Sequence, residues 1–224
     1  MDQPSDDLPA IIAALTPVLT AAAREGGRLP AERTLSEMLG VPRRRLRLAL
    51  DELQRRGTVF RRRGQGTFVT PPPPPDKGRH RLLAGKLTLG QLMDVRHQIE
   101  PRLAELAAIH SDDADIAQLE VLMRRSRDAR TPQEYDLADE VFHYRIAELA
   151  GNALFLEFYA MIREMRREAG WRDRRAETNK PAVMRALGEQ HQRIFDAIAT
   201  RDVAGAATAQ RIHMEFVAAA IQSG

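Results

Sequence analysis

Four side chains in the second half of the 224-residue chain have the types and spacing of a metal-binding set. Asp139 and His143 are four residues apart, which places a carboxylate and an imidazole on one face of a helix. His191 falls within an apolar stripe of helical spacing, and His213 lies beside another such stripe. Three imidazoles and one carboxylate suit a divalent transition metal, and zinc, nickel and manganese all accept these ligands.

The last two predicted helices would bring His191 and His213 together. Each histidine is 11 positions from Asp202, where an antiparallel helical hairpin would turn. Both side chains would therefore stand at the same height, about 16 Å from the turn, given a rise of about 1.5 Å per residue. A single inward histidine is more often a hydrogen-bonded core residue than a ligand, so the metal hypothesis depends on the four residues occurring together.

Arg96 also interrupts an apolar stripe. A guanidinium buried there needs an anionic partner, because removing an unpaired charge from water is costly. Two partners remain open: the carboxylate of a small ligand, which Arg binds through two parallel hydrogen bonds, and Glu100, one helical turn away. Asn152 is a weaker candidate for ligand contact, because after Gly151 it could instead cap the next helix.

Helical periodicity runs through this half of the chain, and the sequence shows no strand pattern after Thr88. We therefore expect an all-helical bundle that holds the four residues on its inner faces. Trp171 lies in a basic irregular stretch that includes Arg166, and it could cover a pocket or pack on the surface. Helices are predicted at residues 89–110, 113–127, 132–150, 153–168, 182–199 and 202–221.

The first 70 residues have a different pattern. Helices are predicted at residues 17–25, 31–39 and 42–56, followed by β-prone runs at 58–63 and 66–70. Pro17 would lie in the first turn of its helix, and Pro42 would be the first residue of the third. The two β-prone runs flank a glycine-containing tip and predict a hairpin. This order is typical of a winged helix-turn-helix, in which the second helix of the pair enters the major groove of DNA.

Basic charge is concentrated in the same segment. Residues 24–70 carry 12 Lys and Arg against 5 Asp and Glu, whereas the net charge of the whole chain is +3. Such an excess of basic residues is typical of a domain that binds phosphate groups, although an ordinary solvated surface could have the same excess. The prolines at 71–75 allow neither a helix nor a central strand. We predict a DNA-binding domain at residues 1–70, a Pro-rich linker at 71–87 and a helical domain at 88–224.

The N-terminal pattern resembles the DNA-binding domain of the GntR family. The resemblance is carried by Gly27-Arg28-Leu29-Pro30-Ala31-Glu32-Arg33, Leu39-Gly40-Val41, Arg43, Arg47, Ala49-Leu50 and Gly64-Gln65-Gly66-Thr67-Phe68-Val69. It implies that arginines contact phosphates or bases and that Gly66 anchors the tip of the wing in the minor groove. Pro42 stands where the family usually has a capping Ser or Thr, and the extra positive charges of Arg44 and Arg45 could compensate. The residues expected to bind DNA are Arg28, Arg33, Arg43, Arg44, Arg47, Gln65 and Gly66.

The second half resembles the FCD effector-binding domain of the FadR branch of this family. The resemblance is carried by Arg96 with Glu100, Asp139-x-x-Phe142-His143, Gly151-Asn152, His191 and His213. It implies a helical bundle with a central cavity, in which a metal and nearby basic groups hold a small organic or sugar acid. Zinc is the favoured metal, with nickel and manganese as alternatives. Its ligands would be Asp139, His143, His191 and His213, and the effector contacts would be Arg96 and Asn152.

Together the two halves predict a ligand-responsive transcription regulator, expected to be a repressor and not an enzyme. Effector binding would change the placement of two winged domains in a homodimer that reads a palindromic operator on double-stranded DNA. Two alternatives remain. A metal with an open coordination position could activate water for catalysis. The histidines could also be ordinary core residues of a regulator that binds an acyl thioester or no ligand.

Three features that the sequence lacks indicate the cellular compartment of the protein. The chain contains no cysteine, which excludes disulfides and thiolate chemistry. Its first residues are acidic and polar and do not resemble a signal peptide. No apolar run approaches the ~20 residues of a membrane-spanning helix. We therefore expect a cytoplasmic protein that has no membrane partner.

Overall fold

The fold has two parts, which a computed structural model describes over residues 8–24, 27–62, 66–71, 83–168 and 180–222. Contacts within the chain separate residues 1–72 from residues 73–224 as two compact units. Each unit has a hydrophobic core of its own. The first unit combines three helices with a two-stranded antiparallel sheet, and the described part of the second is helical. The predicted fold class, a winged helix-turn-helix followed by an all-helical bundle, is confirmed.

The N-terminal unit is built from α1 (Leu8–Arg24), α2 (Glu32–Leu39), α3 (Arg43–Arg55), β1 (Phe60–Arg62) and β2 (Gly66–Phe68). Its core is completely buried at Leu15, Leu35, Leu46 and Leu50, which lie on the inward faces of the three helices. Gly40 ends α2 in a left-handed conformation, with φ of 63°. The next helix follows at once, so the turn between α2 and α3 is short.

Pro42 lies one position before the first residue of α3. The sequence predicted it as the first helical residue, whereas the structure places it at the N-cap, with no side-chain cap hydrogen bond. The ring still suits this position, because Pro42 has no N–H that needs a partner. Its carbonyl accepts hydrogen bonds from the N–H groups of Arg45 and Leu46, which begin the helix.

The first helix is longer than the sequence predicted. The expected start at Pro17 is wrong, because α1 begins at Leu8 and contains Pro17 in its interior. A proline within a helix removes one backbone hydrogen bond and costs about 3 kcal/mol. Ile11 and Leu15, both upstream of the proline, are buried in the core. Burying two such side chains stabilises the fold by roughly 1.5–3 kcal/mol each, which offsets the loss.

A third backbone segment joins the hairpin of β1 and β2. The N–H of Leu29 donates to the carbonyl of Thr67 at 2.8 Å, and the N–H of Val69 donates to the carbonyl of Gly27 at 2.7 Å. The residues before α2 therefore run alongside β2. The sequence analysis missed this pairing, which fixes the wing against the helical part of the unit.

The C-terminal unit contains α4 (Leu89–His110), α5 (Asp113–Arg127), α6 (Pro132–Leu149), α7 (Ala153–Glu168), α8 (Pro181–Ala199) and α9 (Val203–Gln222). These bounds agree with the predicted helices to within one residue at each end. Thr88, Asp112 and Thr131 form capping boxes at the starts of α4, α5 and α6, which is why these helices begin where they do. Helix α8 packs against both α5 and α9, and α6 packs against α4 and α5.

The bundle also includes residues from the predicted linker. Ala84 is buried in the C-terminal core, and Leu87 packs against that core. Most of the remaining linker lies outside the described residues. None of the helices in the described part of the chain combines the length and apolar character that a membrane span needs.

Candidate metal centre and DNA-binding surface

The structure brings the four candidate metal ligands together inside the helical bundle. Helix α6 supplies Asp139 and His143, α8 supplies His191, and α9 supplies His213. Each residue offers one ligand atom, and these atoms all lie within 4.8 Å of one another. All four residues are at most 2% exposed, so the cluster is enclosed by protein.

The ligand atoms converge at distances that suit a single ion. His143 Nε2 lies 3.2 Å from His191 Nε2 and 3.1 Å from His213 Nε2. Asp139 Oδ1 lies 3.4 Å from His191 Nε2 and 3.7 Å from His143 Nε2. Ligands about 2.0–2.1 Å from a tetrahedral zinc ion are roughly 3.3 Å apart, so the set fits one ion with little rearrangement.

The electrostatic surroundings keep two of the rings neutral. Burial lowers the pKa of His143 and His213 well below the usual value, and the attraction of Asp139 opposes this only in part. Both imidazoles are therefore neutral at pH 7, with a proton on only one of the two ring nitrogens. This is the form that binds a metal ion.

Each of two rings has a polar partner on the side away from the cluster. His191 Nδ1 lies 2.9 Å from Ser126 Oγ on α5. His213 Nδ1 lies 3.0 Å from Gln190 Oε1 on α8. Sequence reasoning missed both partners. The available signal was that Ser126 is a polar residue on the buried face of α5, where its neighbours Leu122 and Met123 are also buried.

Two buried ion pairs flank the histidines. Arg96 donates to both carboxylate oxygens of Glu100, at 2.5 and 3.4 Å, so the structure contains one of the two partners that the sequence left open. Arg166 Nη2 lies 3.1 Å from Asp139 Oδ2. The positive charges of Arg96 and Arg166 also contribute to the lowered pKa of His143.

Arg166 is buried in the last turn of α7. This helix is the one predicted at residues 153–168, so that prediction is confirmed for Arg166, and its assignment to the irregular stretch around Trp171 is wrong. The signal was present in the spacing of Tyr159, Ile162, Arg163 and Arg166, which lie on one helical face. All four are buried. Trp171, from the same stretch, lies outside the described residues.

Two further polar atoms are buried near these ion pairs. Neither the hydroxyl of Tyr159 nor Oε1 of Gln210 has a hydrogen-bond partner within the described ranges. The amide nitrogen of Gln210 donates to Glu100 Oε2 at 3.0 Å. Burial, followed by the negative charge of Glu100, raises the pKa of the Tyr159 hydroxyl. Both side chains therefore belong to the polar region around Glu100.

Asn152 has the contacts of a helix cap. Its Oδ1 accepts hydrogen bonds from the N–H groups of Leu154 at 3.0 Å and Phe155 at 3.3 Å, at the start of α7. The side chain is exposed, whereas the histidine cluster is buried. These contacts agree with the alternative prediction that Asn152 caps the helix that follows it.

The N-terminal unit exposes its candidate DNA-binding arginines. Arg43, Arg44 and Arg47 are exposed in the first turns of α3, and Arg33 is exposed on α2. Arg47 Nε donates to Glu32 at 2.7 Å, but 59% of its side chain remains accessible. An ion pair this exposed contributes little stability, so phosphate or base groups can replace the carboxylate.

The tip of the wing combines Gly66 with Arg28. Gly66 has φ of +110°, a conformation that L-amino acids with side chains rarely adopt, and a Cβ added there would lie 3.4 Å from Arg28 Nε. Both residues are exposed. The pairing of residues 27–29 with the wing explains why two positions so far apart in sequence lie side by side. Gln65, also predicted at this tip, lies outside the described residues.

Both halves of the chain match known protein families. Residues 15–69 match the model of the bacterial regulatory proteins of the gntR family, and residues 91–216 match the FCD domain. The solved structure of Escherichia coli McbR/YncC superposes with a TM-score of 0.53 at 19% sequence identity, covering 96% of this chain and 97% of that one. At this identity the superposition supports the fold alone.

Two relatives with assigned names cover most of the chain. A protein of Escherichia coli (strain K12) named after the L-lactate dehydrogenase operon is 30% identical over 206 residues, which cover 86% of this chain and 77% of that protein. The transcriptional regulator LutR of Bacillus subtilis (strain 168) is 26% identical over 202 residues, which cover 87% of this chain and 91% of LutR. The chain therefore belongs to the GntR family of bacterial transcription regulators and carries an FCD domain, so it is a DNA-binding regulator and not an enzyme.

Proposed function

We propose that this protein is a metal-dependent sensor that represses a metabolic operon until a small hydroxylated carboxylic acid binds its FCD domain. The observation that carries the proposal is the convergence of three histidine nitrogens and one carboxylate oxygen, within 4.8 Å of one another, in a buried site. Hydrogen bonds between the rings would account for only part of this convergence, because His143 Nε2 can donate to only one of the other two Nε2 atoms. The metal would be zinc, nickel or manganese, held by Asp139, His143, His191 and His213.

Charge balance supports an anionic effector. The two carboxylates Asp139 and Glu100 balance the two guanidiniums Arg166 and Arg96 in the described part of the site. A divalent cation would add two positive charges to this buried region. An uncompensated charge is costly away from water, so the metal-loaded site would favour a negatively charged ligand. Arg96, predicted as an effector contact, would share its charge between Glu100 and that ligand.

The buried polar atoms favour an effector that also has a hydroxyl group. The Tyr159 hydroxyl and Gln210 Oε1 can form hydrogen bonds that no described residue supplies. A hydroxyl beside the carboxylate of the ligand could both donate to Gln210 and accept from Tyr159. The Escherichia coli relative is named for an L-lactate operon, and lactate is an acid of this kind.

The N-terminal unit would read the operator as half of a homodimer. Helix α3 would enter the major groove with Arg43, Arg44 and Arg47, while Gly66 and Arg28 would meet the backbone or the minor groove. Arg33 would contact phosphate from α2. Effector binding would change the relative placement of the two winged domains across the linker at 71–87, between domains at 1–70 and 88–224.

Elemental analysis tests the metal site directly. Wild-type protein, His191→Ala and His213→Ala are dialysed against metal-free buffer after exposure to zinc or nickel. We expect about one transition metal per chain in the wild type and a loss of that metal in both variants. A wild-type protein that retains no metal even after zinc or nickel is added would contradict the proposal and favour the alternative of ordinary core histidines.

A further inference from the structure

The hydroxyl of Ser126 contacts two groups, a backbone carbonyl and a ring nitrogen of His191. Its hydroxyl donates to the carbonyl of Met123, one turn earlier in α5, at 2.8 Å. Its Oγ also lies 2.9 Å from His191 Nδ1. A hydroxyl has one proton to donate, so once that proton points at Met123 the oxygen can only accept from His191. Nδ1 of His191 must then carry the ring proton.

The contact with Gln190 likewise determines which ring nitrogen of His213 carries the proton. The amide oxygen Oε1 has no proton, so its 3.0 Å contact with His213 Nδ1 requires the ring to donate. Gln190 and His213 are both buried, and water does not compete for this bond. In the neutral form that binds a metal, an imidazole has only one ring proton, and these contacts favour Nδ1 as its position in both rings.

We infer that Ser126 and Gln190 are positioning residues that hold His191 and His213 in the Nδ1–H tautomer and thereby direct both Nε2 lone pairs toward the metal. This inference rests on the proposed metal site and assigns to it two residues outside the four ligands. Such outer partners orient ligating histidines and make them more basic, and removing one typically lowers metal affinity about 10- to 100-fold.

The arrangement also favours a cation at the centre of the cluster. His143 Nε2 lies 3.1–3.2 Å from both of the other Nε2 atoms, and it could donate a proton to only one of them. The Nε2 atom that receives no proton would then keep a lone pair without a donor in a buried site. A cation at the centre of the cluster accepts lone pairs from all three Nε2 atoms, so the tautomers set by Ser126 and Gln190 prepare the site for an ion.

Long-range proton–nitrogen NMR of the histidine rings tests the tautomers without metal. In metal-free wild-type protein we expect the Nδ1–H pattern for His191 and His213. Ser126→Ala should allow the Nε2–H tautomer in His191 alone, and Gln190→Met should allow it in His213 alone. Ser111→Ala is the matched control, because the buried Ser111 hydroxyl also donates to a carbonyl in its own helix, at 2.6 Å from Ala107 O. This control should leave both rings unchanged.

Chelator competition then measures the consequence for metal binding. We expect zinc affinity to fall about 10- to 100-fold in Ser126→Ala and in Gln190→Met, to stay at the wild-type value in Ser111→Ala, and to recover in Ser126→Thr, which keeps the hydroxyl. Nε2–H tautomers in the wild type, or unchanged tautomers and affinity in both variants, would overturn the inference. A wild type that shows the expected tautomers but binds no metal would overturn the proposed function instead.

Discussion

At the scale of single residues, the buried polar atoms of Tyr159 and Gln210 mark the part of the bundle core where a ligand would bind. Leaving a buried donor or acceptor without a partner costs about 1–3 kcal/mol, and native proteins rarely accept that cost without a reason. Both residues are only 1% exposed, and both are linked to Glu100, one through its charge and the other through a hydrogen bond. A ligand that pairs with them would recover this free energy on binding.

Replacing Tyr159 by Phe removes one of these unpaired atoms and keeps the ring. We expect little loss of folding stability, because the hydroxyl has no described partner to lose. Affinity for a hydroxy acid should fall about 2- to 10-fold, the usual net value of one hydrogen bond. Calorimetric titration of the metal-loaded protein with L-lactate, D-gluconate and D-galacturonate, beside propionate, would measure this. If the variant binds every hydroxy acid of this panel as tightly as the wild type, Tyr159 does not contact the ligand hydroxyl.

The cluster of four candidate metal ligands could be predicted because each is a titratable residue that interrupts or borders an apolar stripe. Periodicity alone assigns such residues to the inside of a bundle. The partners Ser126 and Gln190 could not be predicted in this way. Their roles depend on how α5 and α9 pack against α8, and helical periodicity in one segment does not specify its neighbours. For Arg96, the sequence predicted two possible partners, a ligand carboxylate and Glu100. The structure contains the pair with Glu100.

At the scale of secondary-structure elements, α3 presents its arginines in two different settings. Arg47, near the start of the helix, is paired with Glu32 of α2, which also lies 3.5 Å from Arg61 on β1. Arg55, at the other end, is paired with Glu52 of α3 itself. Glu32 thus connects the recognition helix to both α2 and the wing. It would hold Arg47 in place until DNA takes over the contact.

Arg47→Ala should weaken specific operator binding by about 1–3 kcal/mol at fixed salt, the range for a lost base or phosphate contact. Arg55→Ala is the matched control, because it removes an exposed arginine from the far end of the same helix. Fluorescence anisotropy with a labelled operator and with an unrelated duplex measures both variants. Equal affinities for Arg47→Ala and wild type would show that Arg47 does not contact DNA. Equal losses of affinity in Arg47→Ala and Arg55→Ala would show that Arg47 contributes only through its positive charge.

The N-terminal elements also show where prediction from sequence stops. The order of helices and the hairpin followed from glycine and proline signals and from the change of period after Gly57. The start of α1 did not, because proline is a strong local signal for a helix start and the burial of Ile11 and Leu15 outweighs it. The pairing of residues 27–29 with β2 is a long-range contact, which no local pattern in Gly27-Arg28-Leu29 reveals.

At the scale of the whole molecule, the metal would connect the consecutive helices α8 and α9 to α6, which lies far from them in sequence. Asp139 and His213 belong to α6 and α9, and every ligand is buried. An ion that binds only the folded bundle stabilises it by roughly 4 kcal/mol at a thousand times its dissociation constant. The stability of the C-terminal unit should therefore depend on metal, whereas that of the N-terminal unit, which has a separate core, should not.

Treatment with a chelator should lower the midpoint of the thermal transition of the C-terminal unit and leave that of the N-terminal unit unchanged. Differential scanning calorimetry of the full chain measures both transitions, and His213→Ala serves as the variant that chelator should no longer affect. The effector should raise zinc affinity by the same factor by which zinc raises effector affinity, since coupling between two binding sites is reciprocal. An equal shift of both transitions on chelation would contradict a metal held within the bundle alone.

The enclosure of the cluster has a consequence for the rate at which the metal exchanges. Ligands that are at most 2% exposed leave no direct route for an ion to depart, so release requires the surrounding helices to open. The proposed effector contacts Arg96, Tyr159 and Gln210 are buried as well, so the acid also enters by such an opening, but departure of the metal must in addition break four ligand bonds. The metal would then remain with one molecule through many cycles of effector binding. It would be a permanent part of the receptor, and the supply of the acid, rather than the supply of the metal, would be the quantity that the cell reads.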